Sequence, residues 1–145
     1  MTTNSAFTLL ELIVVIVILG ILATLGFTQY STVVESTRLA EAKTRIGNMR
    51  QLATEYYWKN GSMDGLLDED LGVNNTCTSS HYFKYRQSHL SNMVSLNATR
   101  CTTAGKTPHA TREYLYYFAY YPGAGASGWH CYYTDDNSPC FGLPQ

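Results

Sequence analysis

The sequence of 145 residues predicts an α+β fold, a long N-terminal helix packed on a roughly four-stranded antiparallel sheet. Three observations predict it. No proline falls between Phe7 and Lys59. Within that stretch the apolar residues first surround the helix axis and then contract to a single stripe at three- and four-residue steps. Beyond Gly61 the chain changes to short runs rich in Tyr, Phe and Val, separated by Gly, Pro, Asn and Ser clusters, which is the pattern of strands and turns.

The first half of the helix, 7–30, reads FTLLELIVVIVILGILATLGFTQY, with Glu11 as its only charged side chain. About 24 residues at 1.5 Å each give roughly 36 Å, enough to cross a hydrocarbon core of ~30 Å. A helix that is apolar all round belongs in lipid or in a protein interior. An unpaired carboxylate at that depth costs at least ~2.5 kcal/mol, so Glu11 needs a partner, and the span supplies no cation. Gly20 and Gly26 are its weakest helical positions. They either loosen the helix or permit a neighbouring helix to approach closely.

The second half, 31–59, is amphipathic. Leu39, Ala42, Ile46, Met49, Leu52, Ala53 and Tyr56 form the buried stripe, while Glu35, Arg38, Glu41, Lys43, Arg45, Arg50 and Glu55 mostly occupy the other faces. Glu41 and Arg45, and Glu55 and Lys59, stand acid-first at i,i+4. Asn60-Gly61 ends the helix. Residues 60–80 form an irregular connection whose acids, Asp64, Asp68, Glu69 and Asp70, lack the spacing of a calcium loop; Asp68 is placed to cap a short turn.

Residues 81–145 carry the strands, at about His81–Gln87, Met93–Arg100, Glu113–Tyr121 and Trp129–Thr134. In the third, Tyr114, Tyr116, Phe118 and Tyr120 share one face, and Leu115, Tyr117, Ala119 and Tyr121 the other. One face covers the amphipathic half of the helix.

Composition excludes more than it selects. Formal net charge is −1, so there is no global case for a polyanionic partner. His81, His89, His109 and His130 accompany no nucleophile, zincin or phosphate-loop motif, so the chain reads as a non-enzyme with no cofactor. Cys77, Cys101, Cys131 and Cys140 all follow the apolar span, and an even number in an exported head reads as two disulfides among three possible pairings. Zinc is disfavoured beside them, because their spacing to His81 and His89 lacks the C-x-x-C form. The triplets beginning at Asn60, Asn74 and Asn97 fit a glycosylation pattern that is common by chance.

The N-terminus narrows the function. MTTNSA lacks the basic residue of an ordinary signal, and its small residue, Ala6, precedes the apolar run instead of following it. Read from the residues alone, this is either an uncleaved signal anchor or a short leader. The run Ala6-Phe7-Thr8-Leu9-Leu10-Glu11-Leu12-Ile13, with the uninterrupted apolar span behind it, resembles the start of type IV pilins and type II secretion pseudopilins. That resemblance covers about residues 6–59. It implies a leader, 1–6, cleaved between Ala6 and Phe7 by a prepilin peptidase, and methylation of the Phe7 amine. It implies that Glu11 pairs with the Phe7 amine of a neighbouring subunit in a helical filament. Partners implied are copies of the same chain, related minor pilins and the inner-membrane assembly machinery. The implied course is from a single-pass membrane state with its head, 31–145, exported to an extracellular or periplasmic filament. Cys131 and Cys140 resemble the bounds of the C-terminal disulfide loop of many pilins, which leaves Cys77 with Cys101 and favours a pilus over a secretion pseudopilus.

A nucleic-acid module is the competing class. Between Leu71 and Arg112 lie five cations, Lys84, Arg86, Arg100, Lys106 and Arg112, and no acid. Strand alternation sets Lys84 and Arg86 on the face opposite Phe83 and Tyr85, which weakens a shared stacking platform. DNA is therefore not an expected partner.

Overall fold

Helix α1, Leu9–Asn60, opens a computed structural model that describes residues 8–109, 112–125 and 127–142. The chain falls into two compact units, one up to Thr37 and one from Arg38.

In the first unit, α1 exposes its apolar side chains on every side. Over Leu9–Gly26 the mean hydropathy is 2.8 and none of the window is buried. This segment is long and apolar enough to cross a membrane. Its polar atoms are answered locally, as a low-dielectric surround demands. The Thr24 hydroxyl, for example, donates to the Ile21 carbonyl at 2.8 Å. Gly20 and Gly26 are both helical, and a Cβ on either would meet nothing within 4 Å.

The second unit is the α+β head. Its sheet is an antiparallel meander in the order β1 (Phe83–Leu90), β2 (Met93–Arg100), β3 (Tyr114–Tyr120), β4 (Ser127–Tyr133). Leu39, Ala42, Ile46, Met49 and Ala53 of α1 are buried. So are Val94, Leu96 and Ala98 of β2 and Tyr114, Tyr116 and Phe118 of β3, and all of these belong to one core. Leu52 differs from the expected stripe and is 39% exposed. It stands one residue before Ala53, about 100° round the helix, and lies on the flank of the core-facing line.

Gly61 ends α1 with a φ of +78°, and its N–H donates to the Tyr57 carbonyl at 2.8 Å, a left-handed helix cap. The first strand lies two to three residues later than its composition indicates, over Phe83–Leu90 instead of His81–Gln87. Leu90 pairs with Met93 across Ser91-Asn92, so a tight hairpin carries the ladder through Ser88-His89-Leu90 although those residues have little strand preference. His81 N–H donates instead to the Thr78 carbonyl in a turn.

Both edges of the sheet are partly covered. Along β1, the Tyr85 N–H donates to the Asn74 carbonyl and the Gln87 N–H to the Asp68 carboxylate at 2.7 Å. Asp68 stands at the start of the short turn Glu69–Leu71 but makes no side-chain cap there; it spends its carboxylate on β1. At the other edge, the Tyr133 N–H donates to the Ser138 carbonyl at 2.8 Å. Such cover discourages edge-to-edge association.

Two disulfides staple the head. Cys77 joins Cys101, with Cα atoms 5.9 Å apart, and Cys131 joins Cys140, at 5.3 Å. The first ties the connecting segment to the end of β2. The second ties β4 to the C-terminal turn. With both pairs oxidised, no thiolate remains to bind zinc.

Candidate assembly site

The residues most charged with function in the sequence lie at the start of α1. Thr8 is the residue before the helix and Glu11 is the third residue within it. The Thr8 N–H donates to Glu11 Oε2 at 2.9 Å, and the Thr8 hydroxyl donates to the same oxygen at 2.7 Å. In return the Glu11 N–H reaches the Thr8 hydroxyl oxygen at 3.3 Å. This is a capping box, and it satisfies two backbone donors that a helix start leaves orphaned. Its sequence signature, Thr-x-x-Glu before an apolar run, stands in the chain at 8–11 and escapes a reading of Glu11 directed only at its charge.

Both bonds converge on Oε2. A carboxylate has about four lone-pair sites, so it has acceptor capacity beyond the two bonds of the cap. Glu11 is the only Asp, Glu, Lys or Arg from Leu9 to Val34. Ala6 and Phe7, the residues of the expected cleavage and methylation, lie outside the described residues.

Residues 1–27 match the family model of the prokaryotic N-terminal methylation motif. That is the prepilin-type signature of type IV pilins and pseudopilins, and this chain carries it at the head of its apolar helix. No curated protein is similar enough to the chain to count as a match.

The head contributes a second set of charged residues, and their geometry bears on the nucleic-acid alternative. Arg100 is fully buried. Its guanidinium donates to the carbonyls of Tyr82 at 2.9 Å, Cys101 at 3.1 Å and Thr107 at 2.6 Å, and so holds the loop after β2. Lys84 lies 3.3 Å from the Glu113 carboxylate. Arg112 forks onto Asp135, its Nε 2.9 Å from Oδ2, and approaches Asp136 at 2.8 Å. Its hydrogen bond holds the Asp135 carboxyl below the usual range; Asp136 is lowered first by hydrogen bonding to Ser138 and then by Arg112. Three of the five cations are thus committed within the head. Arg86 is exposed on β1, while Phe83 and Tyr85 are buried on the opposite face. Lys106 and Arg100 lie over the Tyr82 ring, 4.9 and 5.6 Å from its centroid, beside Arg38 of α1 at 5.2 Å, so the head's own cations already cover that ring.

Glu41 also turns inward from the charged face of α1. It accepts the Tyr82 N–H at 3.0 Å and the Tyr85 hydroxyl at 3.2 Å, and His81 Nδ1 lies 3.9 Å away. Burial first, and then the Glu41 charge, push the Tyr85 phenol well above its ordinary range. These groups fix β1 to α1. Among the described residues no group of three or more His, Cys, Asp or Glu side chains gathers in a way that would hold a metal ion.

Proposed function

We propose that this protein is a structural subunit of a type IV pilus-like filament. One observation carries the reading: a prepilin-type signature whose apolar helical segment, Leu9–Gly26, is fully exposed and bears a single carboxylate in its first turn. In the proposed course, a prepilin peptidase cleaves between Ala6 and Phe7 and the new Phe7 amine is methylated. The subunit waits in the inner membrane, held by the apolar half of α1. Assembly machinery then moves it into a filament of like subunits and minor pilins, in which neighbouring helices replace lipid around the span.

Glu11 supplies the register. A carboxylate entering a low-dielectric filament core must be paired, and the Phe7 amine of a neighbour is a cation of matching depth. The capping box supports this role, because it fixes the carboxylate through Oε2 and two bonds do not exhaust its acceptor capacity.

The test is Glu11→Ala. The head stays folded and membrane-held, the leader is still removed, and filament yield collapses. Normal yield with normal processing sinks the proposal. A secretion pseudopilin is the second reading within the same class. Deletion of the chain separates the two, since a pilus subunit takes surface filaments with it and a pseudopilin takes export of a protein cargo. The C-terminal loop closed by Cys131–Cys140 favours the pilus.

A further inference from the structure

We propose that the groove between the last turns of α1 and the β3–β4 end of the sheet binds a neutral saccharide. The groove measures about 700 Å3 and is walled by Arg50, Gln51, Glu55 and Trp58 from α1 and by Tyr120 from β3. Among the described residues, Thr54, Gly125 and Ser127 complete the wall.

Three features select the ligand. Gln51, Glu55 and Trp58 fall at i, i+4 and i+7 and therefore share one stripe of the helix. Trp58 is 77% exposed and meets Tyr57 in a T-shaped contact at 6.1 Å between ring centroids, so most of the indole surface is open for a flat, C–H-lined ring to stack on. The same wall carries the planar polar groups of Arg50, Gln51 and Glu55, which between them offer both donors and acceptors to hydroxyls. Arg50 is steadied over the Phe118 ring at 5.7 Å. The Tyr120 phenol shares a 3.1 Å hydrogen bond with the Thr54 hydroxyl, which ties the sheet wall to the helix wall.

Other ligand classes fit less well. A peptide anchors its side chains in enclosed apolar pockets, and this groove is open and ringed by polar and charged side-chain ends. A phosphate-bearing ligand needs net positive charge, and here Arg50 is balanced by Glu55. A ring with an apolar face and several neutral hydroxyls answers both the indole and the planar polar groups.

The experiment uses the full chain in phosphocholine micelles, because a glucoside or maltoside detergent would itself occupy the site. Trp58 and Trp129 are the only tryptophans, so Trp129→Phe makes Trp58 the sole indole reporter. Cellotriose, maltotriose, lactose and chitotriose are titrated while Trp58 emission is followed. A saturable blue shift is expected with at least one of them. Gln51→Ala and Glu55→Ala, both at exposed positions, should each weaken that response several-fold with the circular dichroism unchanged, and Trp58→Ala should abolish the binding heat in calorimetry. No saturable response to any of the four sugars overturns the proposal, as does a response indifferent to Gln51 and Glu55. Protection of Trp58 from iodide in assembled filaments, without a response to sugar, also overturns it and gives the groove to a neighbouring subunit.

Discussion

Thr8 and Glu11 bind each other in both directions: Thr8 gives its N–H and its hydroxyl to the Glu11 carboxylate, and its hydroxyl oxygen receives the Glu11 N–H. An acid within an apolar span is normally a cost, yet here it also closes the start of that helix. The same carboxylate thus has a structural partner within the chain and, in the proposed filament, an ionic partner outside it.

Thr8→Val separates these roles. It removes the hydroxyl and retains the Thr8 N–H bond to Glu11. Loss of a cap costs about 1 kcal/mol, which corresponds to exchange of the first-turn amides about fivefold faster. Hydrogen exchange of the full chain in micelles reads this directly, and filament yield should fall less than in Glu11→Ala. Unchanged exchange would mean that the hydroxyl contributes nothing to the cap.

The head depends on the seam between α1 and the sheet. Ile46 is fully buried at its centre. Ile46→Ala should destabilise the head by about 2–5 kcal/mol through lost burial and the cavity left behind. Leu52→Ala, two turns along and 39% exposed, should cost much less. Urea unfolding followed by near-ultraviolet circular dichroism compares them, and equal losses would contradict the assigned faces.

Arg112 joins the start of β3 to the C-terminal loop through Asp135 and Asp136. Both carboxyls are held below their ordinary range in the folded head. A depressed carboxyl contributes stability that is present above its unfolded pKa and is lost as pH falls through its folded value. The loop should therefore loosen as pH drops below about 4, the ordinary carboxylate range. Arg112→Gln should remove most of that dependence for Asp135, and part of it for Asp136, whose Ser138 contact survives. Amide spectra of residues 134–138 across the acid range check this; an acid transition identical in Arg112→Gln would exclude the fork as its source.

Much of this architecture is legible in the sequence because it is local. The apolar span, the three- and four-residue stripe through Ile46 and Met49, and the alternation of Tyr114, Tyr116 and Phe118 each follow from periodicity. The positions that depart from it depend on distant partners. Asp68 looks like a cap and instead binds the Gln87 N–H on β1. Arg100 looks like a surface cation and instead holds three carbonyls inside the head. Ser88-His89-Leu90 becomes strand because a hairpin pulls it into register. In each case the deciding partner lies outside the segment itself, as Gln87 does for Asp68 and Met93 for Leu90, and propensity and periodicity do not register it.

The measurement that bears most directly on the account is the N-terminal mass of the protein recovered from membranes or filaments. The account predicts a chain that begins at Phe7 and is heavier by one methyl group, with the modification on its amine. A chain that retains Met1–Ala6 would contradict it, because Glu11 would then lose the amine with which it is proposed to set the filament register.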